Sequence, residues 1–222
     1  MAWAEYILAI LAFFVSHSVP VRPRIRASLV QGLGQSGFTA AYSLLSLAVL
    51  AWVIGAAGRA PFIPLWPWAP WQNHLVLGVM GLLCLLLALC IARPNPFSFG
   101  GTQNEAFDPA RPGVVRVSRH PLLLALGLWA FAHMVPNGDL AHVLLFGMFG
   151  GFAALGHRII DRRRRRQMGP AWHSLQHKMQ SVPRAGGIAV SPDTAARVIC
   201  AGLLYGLPLW AHPWLFGVSP II

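Results

Sequence analysis

Charge is what this chain has least of. Only 10% of its 222 residues are Asp, Glu, Lys or Arg, and just six are acidic. No acid/base dyad stands on an exposed loop, and there is neither a Ser-His-Asp order with a nucleophile elbow nor a P-loop. Conventional hydrolysis and phosphoryl transfer therefore have no support. Cysteine is scarce too: Cys84, Cys90 and Cys200 fall inside apolar runs without CxxC spacing. That suits small packing residues better than a disulfide frame or a zinc site. No long stretch alternates with period two, which argues against a lipid-facing barrel. The opening MAWAEYILAILAFFVSHSVP has neither a positive n-region nor a small-residue cleavage site, so it reads as a retained span and not a signal peptide.

Apolar residues are what remain. They make up 56% of the chain, with nine Trp and a mean hydropathy of +0.58, a composition rare in soluble domains. A span needs about 20 apolar residues. Six candidates lie at roughly 3–19, 38–57, 73–92, 120–136, 140–160 and 197–215. The expected fold is an all-α, polytopic transmembrane helical bundle, the remaining way to satisfy backbone polar groups in lipid. It divides into a five-span core over residues 1–160, a basic cytoplasmic interfacial segment over 161–196 and an additional last span over 197–222.

The net charge of +11 is placed unevenly. Loop 20–37 holds Arg22, Arg24 and Arg26; loop 93–119 holds Arg93, Arg111, Arg116 and Arg119; and nine more basic residues lie from Arg158 to Arg197. Only Arg59 lies in the other set of loops. This asymmetry puts three loops in the cytoplasm and both termini outside it. The charge thus reports topology and not a nucleic-acid partner, and DRRRRRQ at 161–167 reads as an anchor against anionic lipid. WPWAPW at 66–71 suits the opposite interface.

Loop 93–119 is rich in Pro, Gly and Asn and ends on Arg119 and His120, just before the helix-opening Pro121. Its arginines suit an anionic cofactor group, although solvation and topology explain them equally well. Further on, Trp172, Leu175 and Met179 recur at helical spacing, so residues 168–187 are expected to lie along the cytoplasmic interface. His173 and His177 are four apart there but lack a third ligand, which favours a solvated face over a metal site. The link from Ser181 to Thr194 reads as flexible, and the last span as a looser addition.

Histidines supply the functional candidates. His74, His142 and His212 lie near span ends and read as interfacial. His17, in FFVSHSVP, and His133, in WAFAHMVPNGD, are different, because an ionisable ring inside lipid marks a functional site by default. Trp129, His133 and Asn137 line one helix face. Two imidazoles on separate helices can hold porphyrin iron, but histidine also ligates copper and zinc, and spacing does not choose. His120 lies thirteen residues before His133, roughly 220° round the helix at about 3.6 residues per turn. His120 and Arg119 must therefore serve another group, such as a headgroup, a propionate or a nucleotide-like cofactor.

The segments HSVPVRPRIRASLVQGLG (17–34), AAYSLLSLAVLAWV (40–53), RVSRHPLLLALGLWAFAHMVPNGDLAHVLLFG (116–147) and DRRRR (161–165) together resemble the NnrU family of bacterial membrane proteins and its relatives, the zeta-carotene isomerases. The similarity spans about three quarters of the chain, and no recognised motif covers the last span. For the isomerases, it implies a haem b held by two histidines, here His17 and His133, and redox-linked cis-trans isomerisation of a polyene. The isomerases carry a cysteine three residues before the second histidine, and this chain has Ala130, so ligand switching through that thiol is absent. NnrU members are associated with nitrogen-oxide metabolism. On the charge-derived topology, His17 sits near the cytoplasmic end of span one, whereas His133 lies about 20 Å along span four. His17 paired with His120 or His157 would match better in depth.

Three functions follow as expectations. One is a haem b protein of the bacterial inner membrane, with Arg119, His120 and Asn137 as further cofactor contacts and an apolar, lipid-like substrate entering from the bilayer. The second is an S-adenosylmethionine-dependent methyltransferase, because Arg-His-Pro opening a span also resembles the isoprenylcysteine carboxyl methyltransferase group. In that case Asp161 stands for a later glutamate, and GPAWHSL replaces the aromatic closing motif. The third is a non-enzymatic assembly factor for a respiratory complex. No catalytic residue, substrate identity or oligomeric state is legible.

Overall fold

The computed structural model describes residues 1–183 and 192–221. Among the described residues there are seven α-helices: α1 Ala2–Ser18, α2 Pro23–Arg59, α3 Pro70–Cys90, α4 Pro121–Met134, α5 Leu140–Met168, α6 Pro170–Gln180 and α7 Pro192–Phe216. Five of them open on proline, whose fixed φ and missing N–H suit a first turn. Among the described residues there is no β-strand, only an isolated bridge from Pro64 to Asp139. The all-α reading holds.

Among the described residues four helices, α2, α3, α5 and α7, are long and apolar enough to cross a membrane. The first and fourth expected spans are present as shorter apolar helices, α1 and α4. Two further boundaries differ from the sequence reading. Residues 20–37 are expected to form a loop, but α2 begins at Pro23 and runs through that segment with an interruption at Gly34. Gly34 has φ 71° and ψ 164°, a combination open essentially to glycine alone, so the arginine-bearing turns can be helical and still change direction. Span five runs past its apolar part through DRRRRRQ to Met168, because arginine is intrinsically a good helix former.

The chain forms two compact units. The first comprises Met1–Pro67 with Gly138–Leu145. Here α1 packs on α2, and the Arg59 Nη2 and Trp52 Nε1 hydrogens both reach Glu5, at 2.5 and 3.4 Å. The fully buried Tyr6 donates its hydroxyl to the Ala141 carbonyl at 2.8 Å. The N–H of Leu140 reaches the Ile63 carbonyl at 2.9 Å, and the N–H of Leu65 reaches that of Gly138 at 2.7 Å.

The second unit comprises Trp68–Asn137 with Phe146–Ile222. In it α3 packs against both α4 and α7, and Leu83, Cys84 and Ala125 form a core against Trp129 and Tyr205. Arg197 of α7 donates to the carbonyls of Ala88 and Ile91 at 2.7 and 2.9 Å, covering acceptors that the C-terminus of α3 leaves open. Arg197 also pairs with Asp193, which Arg93 reaches as well.

A second core, Phe97, Val115, Trp172 and Met179, sits under the loop between α3 and α4. The helical spacing of Trp172, Leu175 and Met179 is as expected, but it serves a different surface: their face packs against that loop. Much of the link from Ser181 to Thr194, expected to be flexible, lies outside the described residues.

Candidate functional site

At the head of α4, within the second unit, four polar side chains close on one another. Arg119 holds the Asp161 carboxylate from two atoms, Nε to Oδ1 at 3.3 Å and Nη2 to Oδ2 at 2.7 Å. His120, the residue preceding Pro121, reaches the same carboxylate through Nε2 at 3.0 Å. A carboxylate can only accept here, so Nε2 carries the ring hydrogen and Nδ1 accepts from the Ser98 hydroxyl at 3.0 Å. His120 and Ser98 are each only 1% exposed. Burial holds the His120 imidazole below its ordinary range, and Asp161 opposes that only partly.

The surroundings fix this cluster in place. Asn95 Nδ2 donates to the Arg119 carbonyl at 3.0 Å, and Arg164 Nη2 donates to the Ser98 carbonyl at 2.7 Å. The His157 ring stands edge-on to His120 with centroids 5.0 Å apart. Below Arg119 lies Trp172, with Arg165 over the same indole at 4.3 Å from its centroid. The Trp172 N–H is buried without an acceptor among the described residues. Arg164 and Arg165, from the run read as a lipid anchor, thus bond inward, while Arg162, Arg163 and Arg166 border a surface depression.

Ser98, His120 and Asp161 are hydrogen-bonded in series, but the arrangement is not a hydrolytic triad. The serine is buried, it meets Nδ1 while the acid meets Nε2, and Arg119 occupies the acid from its other side. The cluster ties loop 93–119 and the start of α4 to α5, with both His120 nitrogens engaged. A cavity of about 330 Å³ nearby is bordered by Arg93, Asn95, Arg111 and Thr194.

The other predicted residues lie elsewhere. His133 is in the second unit, between the rings of Trp129 and Phe146 at 5.2 and 5.8 Å. It donates Nδ1–H to the Trp129 carbonyl at 2.9 Å, and Asn137 donates to the His133 carbonyl at 2.7 Å. With Nδ1 protonated, the neutral ring keeps its lone pair on Nε2. His133 and Asn137 border a cavity of about 460 Å³ with His212, a residue the sequence reading left at the interface. His17 is in the first unit; it is stacked on Phe13 at 4.1 Å and donates Nδ1–H to the Phe13 carbonyl at 2.8 Å.

Sequence reasoning brought Arg119 and His120 together by adjacency, and Asp161 entered only through the methyltransferase pattern. Ser98, Asn95 and Arg164 were missed, and nothing local marks them, since each acts across 22 residues or more. The recurring Nδ1 bonds four residues back at His17 and His133 follow from helix geometry and do carry a signal: an aromatic residue precedes each histidine by four.

Several long apolar helices, with buried polar clusters at helix ends, define an all-α, multi-pass membrane protein. Residues 5–220 match the family described as NnrU protein, and the chain belongs to that family. The match includes α7, which none of the sequence motifs covered. No curated protein and no solved structure matches the chain.

Proposed function

We propose that this NnrU protein is a haem b protein of the bacterial inner membrane, with both termini on the non-cytoplasmic side and with His133 holding the iron. The observation that carries the reading is the tautomer of that ring: Nδ1–H is tied to the Trp129 carbonyl, and the Nε2 lone pair remains for a metal in a largely apolar cavity. Metal-bound histidines are oriented in this manner by a second hydrogen bond. His17, which the resemblance implies as the other ligand, carries the same bond to Phe13. A bound haem would supply one-electron chemistry. The protein's own part is to orient the ring, exclude water and admit an apolar, polyene-like substrate from the bilayer; a role in nitrogen-oxide metabolism is the other expression of the same redox centre. Ala130, in place of a thiol, leaves no sulfur ligand beside His133. The test is a reduced-minus-oxidised spectrum of protein purified in detergent. A Soret band that His133→Ala loses while helicity is kept supports the reading, and a colourless wild type that takes up no added haem defeats it.

The contact of Asp161 with both Arg119 and His120 favours a second reading, an S-adenosylmethionine-dependent methyltransferase using the neighbouring 330 Å³ cavity. Calorimetric titration with that cofactor separates the two: saturable binding, lost in Arg119→Ala, promotes this reading over the haem one.

A further inference from the structure

The five consecutive arginines of α5 do not share one task. Arg164 and Arg165 turn inward, onto the Ser98 carbonyl and the Trp172 ring. Arg162, Arg163 and Arg166 instead surround, with Ile159 and Gln167, a surface depression of about 510 Å³. Helix geometry makes the division. At about 100° per residue, positions 159, 162, 163, 166 and 167 share an arc of about 140°, and Asp161, Arg164 and Arg165 fall outside it.

Among the described residues no ion pair includes Arg162, Arg163 or Arg166. Of the six acidic side chains, Glu5, Asp108, Asp139, Asp161 and Asp193 are engaged by other basic residues. The sixth, Glu105, stands in the loop between α3 and α4. Like charges one helical turn apart repel, so this face gains from an anion supplied from outside. Guanidinium groups suit phosphate in particular, since their paired N–H donors match its oxygens.

The same arc is apolar on its other side. Phe152, Leu155 and Ile159 continue it toward the apolar part of α5, and all three are exposed. The face therefore passes from hydrocarbon to cation within about one turn, as a phospholipid passes from acyl chain to phosphate. A soluble anion or an acidic peptide would use the charged half alone. On the topology read from the basic loops, this end of α5 lies at the cytoplasmic headgroup level. The charges also stand at two heights, Arg162 with Arg163 and then Arg166 about 5–6 Å further along the axis. A single phosphodiester held by the first pair leaves Arg166 uncompensated, whereas two phosphodiesters bridged by one glycerol engage both heights.

We propose that this depression binds one phospholipid whose headgroup carries two phosphodiesters, as in cardiolipin, with its acyl chains lying along Phe152, Leu155 and Ile159. The site does not depend on which cofactor the protein holds.

The test uses full-length protein, delipidated in non-ionic detergent and titrated with tetraoleoyl cardiolipin or dioleoyl phosphatidylglycerol, with bound lipid counted by native mass spectrometry. Wild type is expected to take up one cardiolipin saturably, at least about tenfold more tightly than phosphatidylglycerol, and to keep it in excess inorganic phosphate. Arg162→Gln, Arg163→Gln and Arg166→Gln combined are expected to weaken that binding at least about tenfold. A charge-matched set at exposed positions, Arg22→Gln, Arg24→Gln and Arg111→Gln, is expected to leave it within about twofold. The single variants Arg162→Gln and Arg166→Gln, each expected to weaken it about threefold, carry the test if the triple variant fails to fold. Equal losses in the two triple sets would reduce the site to bulk charge and overturn it. Equal affinity for the two lipids, displacement by free phosphate, or no uptake of cardiolipin at all overturns it as well.

Discussion

Arg119 and Asp161 meet in a two-point ion pair across 42 residues of sequence, with the Asp161 side chain 17% exposed and that of Arg119 28% exposed. This is the contact that joins the head of α4 to α5, and His120 completes it. Its partial burial sets it apart from the pair of Arg111 and Asp108, which is 4.0 Å long and mostly exposed. Desolvation makes removal of one partner costly in the first case and nearly free in the second.

Asp161→Asn should therefore destabilise the protein by about 2–3 kcal/mol, since it leaves a partly buried guanidinium without its counter-charge. Asp108→Asn should change stability by less than about 0.5 kcal/mol. Thermal unfolding in detergent compares the two. Equal shifts would mean that the Arg119 pair is a surface contact in effect.

Stability should also fall in mild acid. Burial keeps His120 neutral in the folded protein below the pH at which an unfolded histidine, with a pKa of about 6.5, takes up a proton. The unfolded chain then binds more protons than the folded one, so the contribution is complete above that pH and is lost as pH falls towards the lower, folded value. Melting curves of wild type and His120→Gln between pH 8 and pH 5 should show a shallower slope for the variant. An unchanged slope would assign the acid sensitivity to other groups.

Trp172 gives an unusual pair of substitutions. Its indole packs beneath Arg165 and against Phe97, but its N–H has no acceptor among the described residues. Trp172→Phe keeps the aromatic face and removes the orphaned donor, so it should cost no more than about 1.5 kcal/mol. Trp172→Ala opens the core under the loop and should cost about 3–5 kcal/mol. Chemical unfolding of both variants tests this; a Phe variant as damaged as the Ala one would show that the N–H has a partner.

At Gly34, among the described residues, no atom beyond its chain neighbours and the adjoining helix backbone lies within 4 Å of where a Cβ would stand, so Gly34→Ala tests the backbone alone. With φ at 71°, the expected cost is about 1–3 kcal/mol. Limited proteolysis around residues 22–37 should rise correspondingly. A neutral result would mean that α2 can straighten at no cost.

The sequence made much of this protein legible, unevenly. Hydropathy runs located α3 and α7 to within about five residues, because that signal is local. The boundary at Gly34 was lost because glycine and arginine in 20–37 read as loop, whereas a single positive φ lets the helix continue around it. Trp172 and Met179 were correctly paired on one face, but the surface that covers that face comes from Phe97 and Val115, about 60 to 80 residues earlier. No periodicity could name it.

Composition by itself determined that the chain is a helical membrane protein: an apolar majority, so few charges and no strand-like alternation leave no other way to satisfy the backbone in lipid. The sequence also put forward the candidate residues, namely His17, Arg119, His120, His133 and Asn137. Tertiary structure alone decided which of these are engaged. Contacts between distant segments consume both nitrogens of His120 on Ser98 and Asp161, and they bring His212 to the cavity of His133, because a hydrogen bond depends on the fixed positions of two groups in space and sequence specifies only one of them at a time.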